Sequence, residues 1–562
     1  MWTLPLSARP WTKFYPEGVP ASLEYPEESL ALPLLRAARE HPERTAMVYF
    51  NREISYGQLL DEVQRMAGAL QSLGVRPGDR VGIMLPNTPQ TVVAYYAVLW
   101  LGAVVVMVNP LYTPREMEIL LKDSGATHLI ALDVRFRDIE QVRPRTQLKH
   151  VIVTGIGDYM PAPLRWLFPI VKRDLVGKIP PGADVQRWAD MLRHHPVPEP
   201  AAVDAKEDLA VLQYTGGTTG IPKGAMLTHF NLYANCVQIS AWLSEFKVRP
   251  FRVLAALPFF HVYGLTTVLN YTFFGGGTMI LVPNPRDIDN ILSLIQKHKP
   301  HVFPGVPTMY IAILNHPKAR QLDLSSIEAC VSGAAPLPVD VQVKFEQLTG
   351  GKLVEGYGLT EASPVTHANP VWGRRKEGSI GLPWPDTDCR IVDLETGEDV
   401  PVGQPGELLI RGPQVMKGYW NNPEATAAAL KDGWLHTGDV ATVDEEGYFY
   451  IVDREKDMII AGGFNIYPRE IEEVLFAHPA VQEAAVIGVP DPYRGETVKA
   501  FVVLKEGARA TAEELIEHCR QNLARYKVPK EIEFREELPK TLVGKVLRRV
   551  LREEEERKRA AG

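Results

Sequence analysis

Apolar positions along this chain follow two periods in turn. Over residues 55–73 they fall at Leu59, Val63, Met66, Leu70 and Leu73, one face of a helix. Ser55 and Gln58 have capping-box spacing there, and Gly74 suits the stop. Short β-rich runs then alternate with helical patterns: VGIML at Val81, AVLQYT at Ala210, RVLAALP at Arg252, TMILV at Thr278 and ACVSG at Ala329, with a helix expected over 291–299. Such alternation predicts parallel sheets with crossover helices. From Gly406 the texture becomes turn-punctuated strands, GELLIRG, GWLHTGD and GYFYIVDR. After Arg454 come a helix opening near Pro468, strands AAVIGV and VKAFVVLK, and a helix capped by Thr511 with Glu514. The tail LREEEERKRAAG reads as a solvated helix end of mixed charge. The expected fold class is therefore α/β. A large N-terminal domain, 1–454, combines parallel or mixed sheets and crossover helices with a β-rich part. A small, mobile α+β C-terminal domain, 455–562, follows.

Two segments raise the question of a membrane. Residues 81–114 carry no charge, and 91–108 are almost wholly apolar. That run barely reaches the ~20 residues a spanning helix needs. Gly102 divides it, and the favoured reading is a short buried helix followed by a β-branched strand over 103–108. Residues 159–180, YMPAPLRWLFPIVKRDLVGKIP, mix Leu164, Trp166, Leu167, Phe168, Ile170 and Val171 with Arg165, Lys172, Arg173 and Lys178 against one acid, Asp174. Two readings stand side by side: a peripheral patch resting on anionic lipid, or a surface hairpin packing its apolar side on the body.

The length, 562 residues, calls for more than one domain. The formal charge of −7 gives no general attraction to nucleic acid, and none is expected as a partner. Cys236, Cys330, Cys389 and Cys519 lie far apart with no metal-ligand spacing, which fits a reducing compartment. No secretory signal is visible, so the expected location is cytoplasmic, with peripheral membrane association as the option that 159–180 opens. The oligomeric state is open, a homodimer being one option.

The strongest chemical signal is YTGGTTGIPKG, 214–224, directly after an expected strand. Gly216 and Gly217 let backbone amides approach an anion, Thr215, Thr218 and Thr219 add hydroxyls, and Lys223 adds charge. The motif is not a Walker A loop, since no GK[ST] occurs there. In LVEGYGLTEASP, 353–364, Tyr357 offers a flat face, Thr360 a donor and Glu361 a hard oxygen ligand for Mg²⁺. SGAAPLP, 332–338, is a small-residue turn that a planar base can approach. WLHTGD supplies Asp439, a carboxylate suited to ribose hydroxyls. Arg454 in YIVDREKD either joins it or forms a surface pair with Asp453. In LPKTLVGKVLRR, Lys545 follows Gly544 on a turn.

Together these motifs resemble the adenylate-forming superfamily over nearly the whole chain. WTKFYPEGVP, VNPLYTPREME, PFFHVYGLT and IVDREKDMIIAGGFNIYPREIEEV look like the bacterial long-chain fatty acyl-CoA synthetases. No carrier-domain serine motif follows Lys545, and no peroxisomal address ends the chain. The resemblance implies that Thr215, Gly216, Gly217, Thr218, Thr219 and Lys223 hold the β- and γ-phosphates of ATP. Gly333, Ala334 and Ala335, with Glu355, Gly356, Tyr357 and Gly358, would enclose adenine. Thr360 would touch the α-phosphate, Glu361 and Thr215 would serve Mg²⁺, and Asp439 and Arg454 would bind ribose. Lys456 matches the hinge and Lys545 the adenylation lysine. His261 matches an aromatic position lining the acyl site, the other reading being a core histidine. Gly463, Phe464 and Asn465 belong to the loop on the coenzyme A side.

The implied activity is ATP-dependent conversion of a long-chain fatty acid, through its acyl-adenylate, to the CoA thioester. A medium-chain or aryl acid:CoA ligase is the alternative within the superfamily. A non-catalytic binder of nucleotide or acyl-adenylate is the alternative outside it.

Overall fold

In a computed structural model of the chain, described over residues 8–193, 195–215, 222–246, 249–461, 464–491, 494–541 and 544–561, the expected alternation is present. The chain divides into two compact units. The larger takes Thr12–Thr387 with Arg411–Leu435, and the smaller takes the described parts of Met1–Trp11, Asp388–Ile410 and His436–Gly562.

The larger unit is built on an eight-stranded sheet. Its central strands, Leu209–Thr215, Val104–Met107, Arg80–Met84, His128–Leu132 and His150–Thr154, run parallel. They are buried on both faces, so they read as continuous apolar runs. The helix Tyr56–Ser72 has both halves of its capping box, Ser55 Oγ accepting from the Gln58 amide and Gln58 accepting from the Ser55 amide. A cap of this kind is worth about 1 kcal/mol. The uncharged stretch resolves into the helix Pro89–Trp100, whose residues are all buried, and the strand Val104–Met107, with Gly102 at positive φ between them. A helix apolar all round is a core helix, and among the described residues no helix is long and apolar enough to cross a membrane. Two four-stranded sheets complete this unit; one of them pairs Ala329–Ser332 in parallel with Lys352–Gly358.

The smaller unit holds the turn-punctuated strands. Asp388–Val392, Gly406–Arg411, Trp434–Val443 and Phe449–Arg454 lie in one sheet. A second sheet centres on the hairpin Val481–Asp491 and Gly495–Leu504, backed by the helices Pro468–Phe476 and Ala512–Asn522. The tail differs from its expectation. Arg548–Ala561 is a helix, but Leu551 is fully buried and Glu555 is nearly so. Glu555 joins Glu531 and Glu533 around the buried ammonium of Lys499, at 2.9, 2.6 and 2.9 Å. One face of this charged helix is therefore a packing surface, because a buried lysine needs anionic partners.

Candidate active site

In the larger unit, Leu209–Thr215 and Lys223–Thr228 form an antiparallel pair with Thr215 opposite Lys223. Gly216, Gly217, Thr218 and Thr219 lie outside the described residues, so the structure shows the two strands that flank the glycine loop. Gly224 packs on the Tyr214 ring, where a Cβ would stand 3.0 Å from the ring carbon. Beyond Lys223 the strand pairs with Gly418–Tyr419. The Lys223 ammonium lies 5.1 Å from the centroid of the Tyr419 ring, within cation–π range. The Tyr419 hydroxyl donates to Glu361 Oε1 at 2.6 Å, and the Glu361 carbonyl accepts from the Met416 amide at 2.8 Å. Burial, with the Glu361 charge beside it, raises the Tyr419 pKa, so the phenol stays a donor. One carboxylate with a nearby hydroxyl fits Mg²⁺, which takes few protein ligands and completes its shell with phosphate oxygens and water.

Tyr419 is absent from the residues singled out in the sequence. A lone tyrosine in a short β run has no motif, and only strand pairing brings it to Lys223 and Glu361.

The parallel pairing of Ala329–Ser332 with Lys352–Gly358 sets residues 333–335 beside 355–358. Buried Glu355 accepts the Leu337 amide at 3.2 Å and ties the small-residue turn to the strand. Ala334 has φ +65°, an unusual backbone for alanine. At Gly358 a Cβ would fall 2.1 Å from the Pro364 carbonyl oxygen, so only glycine fits. Gly356 packs on Val331, and Tyr357 sits with its ring 5.7 Å from that of His367. Thr360 opens the turn Thr360–Ala362 that carries Glu361. His261 is half-buried and accepts the Tyr263 amide at its Nδ1, 3.3 Å away, capping the turn Val262–Gly264.

In the smaller unit, Asp439 and Arg454 are register partners on adjacent antiparallel strands. Arg454 Nε lies 3.1 Å from Asp439 Oδ1, with Asp439 buried and Arg454 half-exposed. Neighbouring strand residues point to opposite faces, so Asp453 turns away from Arg454's partner. It accepts the Arg469 amide at 2.7 Å and lies 3.5 Å from Arg548. The surface pairing of Asp453 with Arg454 is thereby set aside in favour of Arg454 with Asp439.

Lys545 stands on a turn closed by Thr541, whose amide donates to the Lys545 carbonyl at 2.8 Å while its hydroxyl accepts the Lys545 amide at 3.1 Å. Gly544, at φ +75°, makes that turn. Lys456 lies in the turn Glu455–Asp457. Both lysines have their pKa lowered to about 8. The main cause is protein crowding each ammonium and stripping its water; repulsion by Arg454 adds to it. Both residues remain solvent-exposed over much of their surface, and the water that reaches them moderates the effect. Asp439 and Asp457 act on both lysines in the opposite sense, so the four groups and Arg454 form one electrostatic cluster. Gly463 lies outside the described residues, while Phe464 and Asn465 begin the strand Phe464–Ile466, paired with Ile459–Ala461.

The model of the AMP-binding enzyme family matches residues 34–420, and that of the AMP-binding enzyme C-terminal domain matches 470–545. The chain belongs to the AMP-binding enzyme family. Among its relatives, the long-chain-fatty-acid–CoA ligase of Bacillus subtilis is 50% identical over 98% of both chains. That of Yersinia pestis is 44% identical over 97% of this chain and 98% of its own. Among solved structures, the anthranilate CoA ligase in complex with anthranoyl-AMP is 32% identical with a TM-score of 0.82, over 95% of this chain and 98% of its own. Fold and family together make this protein an adenylate-forming enzyme.

Proposed function

We propose that the protein activates a long-chain fatty acid with ATP and transfers the acyl group to coenzyme A. A carboxylate does not acylate a thiol directly, because oxide is too poor a leaving group. A carboxylate oxygen instead attacks the α-phosphorus, and the bond to the β-phosphate breaks to release pyrophosphate. The coenzyme A sulfur then attacks the acyl carbonyl of the adenylate, and AMP leaves with its oxygen. No side-chain nucleophile is needed; the chain positions its substrates and neutralises charge.

The observation that carries this reading is the clustering of Lys545 with Asp439 and Arg454. Ribose and α-phosphate are adjacent in any adenylate, so a carboxylate for the sugar hydroxyls and a cation for the phosphoryl oxygens belong side by side. In this reading Asp439 and Arg454 hold ribose, and Lys545 meets the charge that gathers at phosphorus. Residues 215–219 and Lys223 hold the outer phosphates. Residues 333–335 and 355–358 enclose adenine, with Thr360 at the α-phosphate. Glu361 and Thr215 hold Mg²⁺, whose part is to screen phosphate charge. His261 lines the acyl site, and 463–465 serve coenzyme A. The functional boundary falls at 454/455, with Lys456 as the hinge about which 455–562 turns between the two half-reactions. A contact with membrane through 159–180 belongs to the same reading, as does assembly into a homodimer.

The test is CoA-dependent AMP release over a ladder of acids from short to long. Turnover should rise toward long chains. Greatest turnover with an aromatic acid would favour the second reading, an aryl acid:CoA ligase, which the likeness to the anthranilate ligase supports.

A further inference from the structure

The connection between the strands His150–Thr154 and Gln186–Arg187, at one edge of the eight-stranded sheet, leaves the body as a helix that packs almost nothing. It is rooted at both ends. Tyr159 is buried and donates to Glu62, and at Gly177 a Cβ would stand 2.0 Å from the Asp133 carbonyl oxygen. Between these roots the helix Ala162–Val171 has no buried residue. Only Phe168 turns inward, its ring 3.3 Å from where a Cβ on Gly157 would be. Trp166 is 72% exposed, Leu167 54%, Ile170 61% and Val171 71%. At about 100° per residue, Trp166 and Ile170 lie on the side away from Phe168. The apolar side is therefore turned to solvent and not packed on the body.

The flanks carry the second observation. Arg165, Lys172, Arg173 and Lys178 are all exposed against the single acid Asp174, and among the described residues none of the four is in an ion pair. The rest of the chain is net acidic, so this concentration of unpaired positive charge beside exposed tryptophan is local. Such a helix, apolar on one face and basic at its margin, has the composition of an element lying in a lipid interface. Trp166 suits headgroup depth, with a flat apolar ring and one polar N–H.

We infer that the helix Ala162–Val171, with Lys172, Arg173 and Lys178, lays its Trp166–Ile170 face on an anionic lipid bilayer. The inference deepens the reading of a bilayer-soluble acid as substrate, since an enzyme resting there meets that acid where it is concentrated. The helix is too short to span, so attachment is peripheral and reversible. Each basic residue near an anionic surface strengthens binding by about fivefold at low salt.

Flotation of the full-length protein with vesicles, without ATP or acid, tests the inference independently of the reaction catalysed. Wild type should float with vesicles rich in phosphatidylglycerol and far less with pure phosphatidylcholine. Replacing Arg165, Lys172, Arg173 and Lys178 together by Ser should weaken this binding by roughly several hundredfold at low salt and less at high salt. W166S/I170S should weaken it at every salt concentration. Brominated lipid should quench tryptophan emission of wild type more than of W166F. Turnover of a short soluble acid should be unchanged in every variant, which also reports folding. Failure of wild type to float, or equal flotation by the quadruple variant, would overturn the inference. So would a loss of self-association in W166S/I170S with flotation unchanged, which would make the face a contact between copies. If flotation behaves as expected but no long acid is turned over, the functional reading alone fails.

Discussion

Arg548, three residues beyond Lys545, grips Glu472 with both oxygens in reach of one nitrogen, Nη2 lying 2.8 Å from Oε1 and 2.7 Å from Oε2. Its other terminal nitrogen reaches Asp457 at 3.2 Å and Asp453 at 3.5 Å. Arg548 thus fastens the start of the last helix, and with it the Lys545 turn, to the helix Pro468–Phe476 and to the segment carrying Lys456. Burial would raise the Asp457 pKa, yet Arg548 and Arg552 hold it below its ordinary value. Three carboxylates converge on one half-buried guanidinium, so removing it leaves their charges without their shared partner.

R548A should therefore destabilise the C-terminal part by up to about 3 kcal/mol, the lower end of the range for breaking a buried ion pair from one side, since Arg548 keeps some contact with water. R548K should cost less in stability, because charge remains, but should still lower adenylate formation because lysine lacks the fork. Thermal unfolding and ATP-dependent adenylate formation measure the two effects. An R548K enzyme with unchanged adenylation would show that the clamp is only structural.

K545A should slow adenylate formation by about 10²–10³ and leave thioester formation from supplied acyl-adenylate nearly intact. Equal loss in both half-reactions would give Lys545 a structural role. The pH profile follows from the lowered pKa. The protonated ammonium is the active form, so activity present below about pH 8 should fall as pH rises through that value in kcat/KM for ATP. K456Q should keep a falling limb if Lys545 is the group responsible, whereas its disappearance would assign the limb to Lys456.

Lys456→Pro should spare adenylation and impair transfer to coenzyme A. Proline fixes φ and removes the amide hydrogen at a residue that is proposed to change its backbone angles between steps. Single-turnover measurement of each half-reaction separates the two, and normal CoA-dependent turnover would end the hinge assignment.

Y419F removes the hydroxyl that donates to Glu361 and keeps the ring beside Lys223. It should raise the Mg²⁺ concentration needed for half-maximal activity by about 10- to 100-fold, the usual cost of losing a partner of a metal ligand. Y419A should additionally weaken ATP binding, because Lys223 loses the ring face. Unchanged Mg²⁺ dependence in Y419F would separate Glu361 from the metal.

The elements with strong local signals were readable in the chain itself. The capping boxes at Ser55 and Thr511, the strand that leads into 216–221, and the helix–strand break at Gly102 depend on contacts a few residues apart. The motifs of the AMP-binding enzyme family were equally readable, since each is a short run of consecutive residues. Tertiary structure alone decided what lies between distant segments. Nothing near Tyr419 marks it as the partner of Glu361 and Lys223, because that grouping depends on Gly418–Tyr419 adding to a strand begun two hundred residues earlier. The choice of Asp439 over Asp453 as the partner of Arg454 follows from antiparallel register, which one strand read alone does not contain. The same holds for residues 159–180. Their composition does not say which side chains pack, and only the tertiary structure turns Phe168 toward Gly157 and leaves Trp166 exposed. Periodicity reports which residues share a face; what that face meets is fixed by the rest of the molecule.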